Sequence, residues 1–93
     1  PMKINFFATY RPLVGGKTME FSLPEGTTIR QMLDSVIARY PKLRAELLDE
    51  RGDLWPHVHV FVNGRDTQYL PAAMETPLTQ DETINIFPPV AGG

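Results

Sequence analysis

Two glycines close the chain. Gly92-Gly93 leave an α-carboxylate with no side chain on either flanking Cα, so the terminal group is unhindered and can lie extended in a channel too narrow for a Cβ. A carboxylate at neutral pH is a poor electrophile, because its charge is delocalised and oxide is not a leaving group. Chemistry at Gly93 therefore needs activation by another molecule, and a frayed terminus is the alternative reading. Two other sets of residues have types that do chemistry elsewhere. Gly15-Gly16-Lys17-Thr18 holds the Gly-Lys-Thr of a phosphate loop, but the first glycine at the required spacing is missing and a strand pattern follows where a helix is needed. His57 and His59 stand at i and i+2 of a strand pattern, which puts two imidazoles on one face. A zinc site needs two more ligands; with no cysteine and no third ligand nearby in sequence, a solvated strand face accounts for the pair and no metal site is expected. Trp55-Pro56 and Tyr40 read as edges of the core.

Ninety-three residues make one small domain, enough for a modest core and too few to enclose a large catalytic cavity. That argues against a self-sufficient enzyme. A net charge of -2 and pI near 5.6, with the basic residues dispersed, leave no electrostatic footprint for nucleic acid. The absence of cysteine removes the secreted disulfide scaffolds and favours a reducing compartment, by default the cytoplasm. Ile4 to Ala8, broken by Asn5, is too short for a signal peptide core, and no segment approaches a membrane span. Pro1 reads as an addition ahead of a natural start at Met2.

The elements that must position the tail follow from periodicity. Lys3 to Thr9 alternates as a strand, Arg11-Pro12-Leu13-Val14-Gly15-Gly16 is a turn, and Thr18 to Leu23 alternates again, giving a hairpin. Thr28-x-x-Gln31 is a capping box. Ile29, Met32, Leu33, Val36, Ile37 and Tyr40 then form one apolar helical stripe before Pro41 stops it. Lys42 to Glu50 adds a short helical piece carrying Leu43, Leu47 and Leu48. His57 to Val62 is the strongest strand pattern, Asn63-Gly64 a tight reversal, Thr67 to Leu70 a weak strand, and a crossing with Pro71 and Pro77 leads to the terminal strand Thr83 to Phe87. Pro88-Pro89 end that strand, since proline has no N–H for the ladder. The predicted division is a domain over 1–87 and a tail over 88–93, Pro88-Pro89-Val90-Ala91-Gly92-Gly93.

This order, one helix covering one mixed sheet of four to five strands, resembles the α+β β-grasp fold of ubiquitin-like proteins. Lys3-Ile4-Asn5-Phe6-Phe7-Ala8, then Arg11 and Leu13-Val14-Gly15, and finally the terminal Phe87-Pro88-Pro89-Val90-Ala91-Gly92-Gly93 resemble the MoaD/ThiS sulfur carriers. The loop and long middle segment are most similar to the CysO type, and the two Phe-containing ends to the small subunit of molybdopterin synthase. The resemblance implies that a ubiquitin-activating-type adenylyltransferase of the MoeB/ThiF kind, using its own ATP and Mg²⁺, adenylates Gly93. A persulfide-bearing sulfurtransferase then leaves a thiocarboxylate there. It also implies a sulfur-accepting synthase, either the large subunit of molybdopterin synthase or an enzyme of cysteine synthase type. Nothing in the chain supplies a base, a nucleophilic side chain or a phosphate loop for those steps, so the resemblance implies a substrate and carrier with no bound cofactor. Protein modification through an isopeptide, and a binding module with an inert tail, are the alternatives.

Strand alternation adds a surface. If Ile4, Phe6 and Ala8, then Val58, Val60 and Val62, then Ile84 and Ile86 face the helix, Phe7, Phe61 and Phe87 face away. In the strand order the resemblance implies they are neighbours, so with Pro88 and Val90 they form an expected docking patch.

Overall fold

The sequence patterns condense, in a computed structural model that describes residues 1–90, into five strands and three α-helices among the described residues, joined by short 3-10 turns. The strands are β1 (Met2–Phe6), β2 (Thr18–Phe21), β3 (His59–Val62), β4 (Arg65–Asp66) and β5 (Thr83–Phe87); the helices are α1 (Arg11–Val14), α2 (Ile29–Arg39) and α3 (Arg44–Leu47). The sheet order is β2-β1-β5-β3-β4. β5 runs parallel to β1, with Ile4 opposite Ile84, and antiparallel to β3, with Val60 opposite Ile86. This is the mixed sheet under one main helix that the sequence predicts.

Helix α2 begins where its capping box places it. The Thr28 hydroxyl accepts from the Gln31 N–H at 3.1 Å, and the Gln31 side-chain oxygen accepts from the Thr28 N–H at 3.0 Å, so two otherwise orphaned helix donors are satisfied. Its stripe of Ile29, Met32, Leu33, Val36 and Ile37 is buried against Ile4, Phe6, Val60, Ile84 and Ile86 in a single core, with Leu43, Leu47 and Leu48 closing its side. Asn63 and Gly64 both take positive φ, 49° and 82°, the geometry a two-residue hairpin needs to match strand twist.

The structure departs from the sequence reading at several points. The first strand ends at Phe6 instead of Thr9, because Ala8 turns at φ 51° and leads through a 3-10 turn. Ala8 is exposed, and Tyr10 enters the core in its place. The expected Arg11–Gly16 turn is the single-turn helix α1 closed by Gly15 at φ 78°. Thr67–Tyr69 is a 3-10 turn, not a strand: Asp66 accepts the Gln68 N–H at 3.1 Å, and the buried Thr67 hydroxyl donates to the Val60 carbonyl at 2.6 Å. These side-chain bonds pull the backbone out of the ladder.

Tyr10 is buried, and among the described residues its hydroxyl has no hydrogen-bond partner. Burial first, and the charge of Glu46 second, push its pKa up to about 12. The folded state thus holds the phenol proton more tightly than the unfolded chain, whose phenol titrates near 10. The contribution is intact below about pH 10 and is lost as pH rises toward 12. Tyr10→Phe is therefore expected to leave stability at pH 7 unchanged or raise it by about 1 kcal/mol, and to flatten the alkaline decline in urea-unfolding curves. A clear loss at neutral pH would show that the hydroxyl is partnered.

Candidate functional site

One side of the sheet is covered by α2; the other is open, and the register arranges it in rungs. The first contains Thr18, Asn5, Asn85, Phe61 and Asp66. Its polar side chains are linked: Asn5 Nδ2 donates to Asn85 Oδ1 at 2.8 Å, and the Thr18 hydroxyl donates to Asn5 Oδ1 at 2.6 Å. Nearer the tail lie the aromatic rings. Phe7 stacks on Phe87 with centroids 4.2 Å apart, and Phe87 meets Phe61 edge to face at 5.4 Å. Strand alternation puts Phe6 in the core and its neighbour Phe7 on this open face, where all three rings are half-buried. The structure thus brings Phe7, Phe61 and Phe87 together, as alternation and the strand order implied by the resemblance together require.

β5 stops at Phe87, directly opposite His59. Half-buried Pro88 and exposed Pro89 carry the chain off the sheet, and Val90 is 82% exposed. Ala91, Gly92 and Gly93, the tail positions singled out from sequence, lie outside the described residues. His59 Nδ1 is 2.8 Å from Asp66 Oδ2. Asp66 also accepts from the Gln68 N–H and side-chain amide, and its carboxylate, an acceptor only, orients the ring with Nδ1 as the donor. A cleft of about 280 Å³ lies between His57, His59, Pro89 and Val90.

The pairing of His57 with His59 on one strand face is corrected: β3 starts at His59, and His57 sits before it at φ 69°, a left-handed conformation that breaks the alternation. Among the described residues no cluster of three or more His, Cys, Asp or Glu side chains is placed to hold a metal ion. Gly15-Gly16-Lys17 leads directly into β2, so no helix N-terminus exists there to receive a phosphate. Tyr40 packs edge-on to Phe6 at 6.3 Å. Trp55 is 42% exposed, its indole N–H donating to the Ala45 carbonyl at 2.8 Å. No helix of the described residues is long and apolar enough to cross a membrane.

Sequence reasoning passed over two features of this site: the Asp66 partner of His59, and the contact of Arg11 with the aromatic row. The Arg11 Nε donates to the Phe6 carbonyl at 3.0 Å, and its guanidinium lies 5.5 Å from the Phe7 ring centroid. The only signal for the first was an acid two residues beyond a hairpin turn, which folds it back toward the preceding strand.

Comparison with known proteins gives a consistent outcome. The ThiS family model matches residues 4–93. The chain is 37% identical over 92 residues to small archaeal modifier protein 3 of Haloferax volcanii, covering 99% of this chain and 98% of that one. The crystal structure of small archaeal modifier protein 1 from the same organism matches with a TM-score of 0.86 at 26% identity, covering 99% and 98% of the two chains. A chain in the crystal structure of the Amycolatopsis orientalis BexX/CysO complex matches with a TM-score of 0.83 at 28% identity over 100% of both.

Proposed function

This chain belongs to the ThiS family of ubiquitin-like sulfur carriers and modifiers, and from that premise we propose that Gly93 is the reactive end of a sulfur carrier. The observation that carries the reading is the exit of the chain: β5 ends at Phe87 beside the open aromatic face and delivers an exposed Val90, with two glycines to follow. In the proposed cycle a carboxylate oxygen of Gly93 attacks the α-phosphorus of ATP on a MoeB/ThiF-type adenylyltransferase, and pyrophosphate leaves. A sulfurtransferase persulfide then attacks the acyl carbon and AMP leaves. A second thiol cleaves the resulting acyl disulfide, closing a disulfide behind it and freeing the Gly93 thiocarboxylate. ATP and Mg²⁺ belong to the activating enzyme. The thiocarboxylate is a soft nucleophile held on a protein and aimed, and its sulfur passes to a pterin precursor or to an activated serine on a sulfur-accepting synthase. The compartment in which this happens is the cytoplasm, where thiols stay reduced.

The test is the intact mass of the full chain after incubation with the activating enzyme, ATP and a sulfur donor. The reading expects the gain of one oxygen-to-sulfur exchange, and an unchanged mass overturns it. A second reading is supported by the 37% identity to a small archaeal modifier protein. In it the same adenylate is captured by a lysine amine of another protein, and conjugates that vanish on removing Gly93 would show it.

The aromatic row is the proposed docking face for these enzymes, since Phe7, Phe61 and Phe87 adjoin Pro88 at the root of the tail. Phe61→Ser and Phe87→Ser are each expected to weaken binding of the activating enzyme by about 1 kcal/mol or more, as interface aromatics do, while the aromatic pairs they break lower the melting temperature by several degrees without unfolding the domain. Normal titration calorimetry for either variant would remove that ring from the interface.

A further inference from the structure

The aromatic row has polar neighbours, and most of them are engaged with one another. Asn5, Asn85 and Thr18 are linked by side-chain hydrogen bonds. At the far end Asp66 engages His59 and Gln68. Arg11 differs. Its guanidinium is half-buried at the Phe7 end of the row, and the bond to the Phe6 carbonyl uses Nε, so among the described residues neither terminal nitrogen of the fork has a hydrogen-bond partner. The ion pairs among the described residues, Arg30–Glu75 and His59–Asp66, do not include it. Its position is set from three directions: α1 supplies the backbone, the Phe6 carbonyl holds Nε, and the Phe7 ring lies under the charge. A cation held over a ring through its Nε, with its terminal nitrogens unbonded among the described residues, is pre-organised for a planar, bidentate acceptor.

We propose that Arg11 receives a carboxylate of the adenylating enzyme, so that the docking face pairs an apolar protrusion of that enzyme with one acidic side chain at its rim. The inference rests on the reading of the aromatic row as the docking face. It assigns to the Arg11-Pro12 loop a part in recognition as well as in strand geometry. The pair supplies orientation: three phenylalanines alone do not specify rotation about the contact, whereas one fixed charge at one end does.

The experiment measures Kd by calorimetry between the full chain and its adenylating enzyme at low and at physiological salt, for the wild type, Arg11→Gln, Arg11→Lys and Phe87→Ser. Adenylation rates are measured at saturating enzyme. Arg11→Gln is expected to bind about tenfold more weakly at low salt and to lose most of the wild-type salt dependence. Arg11→Lys keeps the salt dependence, with an intermediate affinity, because it keeps the charge and loses the fork. Wild-type affinity and salt dependence in Arg11→Gln, alongside weakened binding by Phe87→Ser, overturn this inference and leave the docking face standing. Unchanged binding by Phe87→Ser as well removes the face itself. A lower melting temperature with an unchanged salt dependence assigns Arg11 a structural role only. Unchanged Kd with a slower rate at saturation assigns it to the reacting tail. Either result overturns the proposal.

Discussion

Removing Gly93 is expected to abolish adenylate formation while leaving the melting curve of the domain unchanged. The variant still ends in glycine, so the argument is one of reach. Each extended residue spans about 3.3–3.6 Å, and in the proposed cycle the Gly93 carboxyl must meet the α-phosphorus of ATP in line. A reacting atom displaced by even 1 Å can cost about 10²-fold in rate, and a tail short by a whole residue misses by several times that. Adding a residue after Gly93 fails for the converse reason, since it replaces the carboxylate at the reacting position by an unreactive amide. The unchanged melting curve follows from the core, whose last member in sequence is Ile86. ATP–pyrophosphate exchange with the activating enzyme reads the first half of the prediction and circular dichroism the second. Wild-type exchange by the shortened chain would remove Gly93 from the chemistry. Gly92→Ala is the milder companion, with slower exchange expected from the added Cβ in a narrow channel.

What could be read from the sequence, and what could not, divides by the range of the interactions. The capping box at Thr28 and the stripe from Ile29 to Ile37 are determined within one or two helical turns, and Asn63-Gly64 within one turn, so pattern alone locates them. Alternation likewise places Phe6 inward and Phe7 outward. The misses share a different cause. Ala8 and His57 take positive φ, which no residue type there advertises. Thr67 leaves the strand because its hydroxyl finds the Val60 carbonyl seven residues back. The bond from Arg11 to the Phe6 carbonyl and the pairing of His59 with Asp66 span five and seven residues across a turn. A side-chain bond across a turn leaves no periodic trace. For the site this means that alternation gave the shared face of the three rings and the strand order implied by the resemblance their adjacency, while the charge at the end of the row had to be seen.

Adjacent phenylalanines provide the sharpest test of that division. Phe6→Ala is expected to cost about 3–5 kcal/mol, the usual range for deleting a fully buried aromatic ring. The ring is inaccessible to solvent and lies in the core with Ile4, Ile84 and Ile86, edge-on to Tyr40 at 6.3 Å. A domain of this size is stable by only about 5–15 kcal/mol, so the variant is expected to populate the unfolded state visibly at moderate temperature. Phe7→Ala removes a ring of the same size one residue on. Its stacking partner Phe87 is itself half-buried on the open face, and the space vacated fills with water and leaves no cavity. A loss of about 1 kcal/mol, the scale of one aromatic pair, is expected there, together with weaker binding of the activating enzyme. Urea unfolding of the two variants reads the stability difference, and calorimetry with the partner reads the binding. Equal destabilisation by the two substitutions would mean that the open face is covered in the free protein. The aromatic row would then be part of the core, and the docking surface would lie elsewhere on the domain.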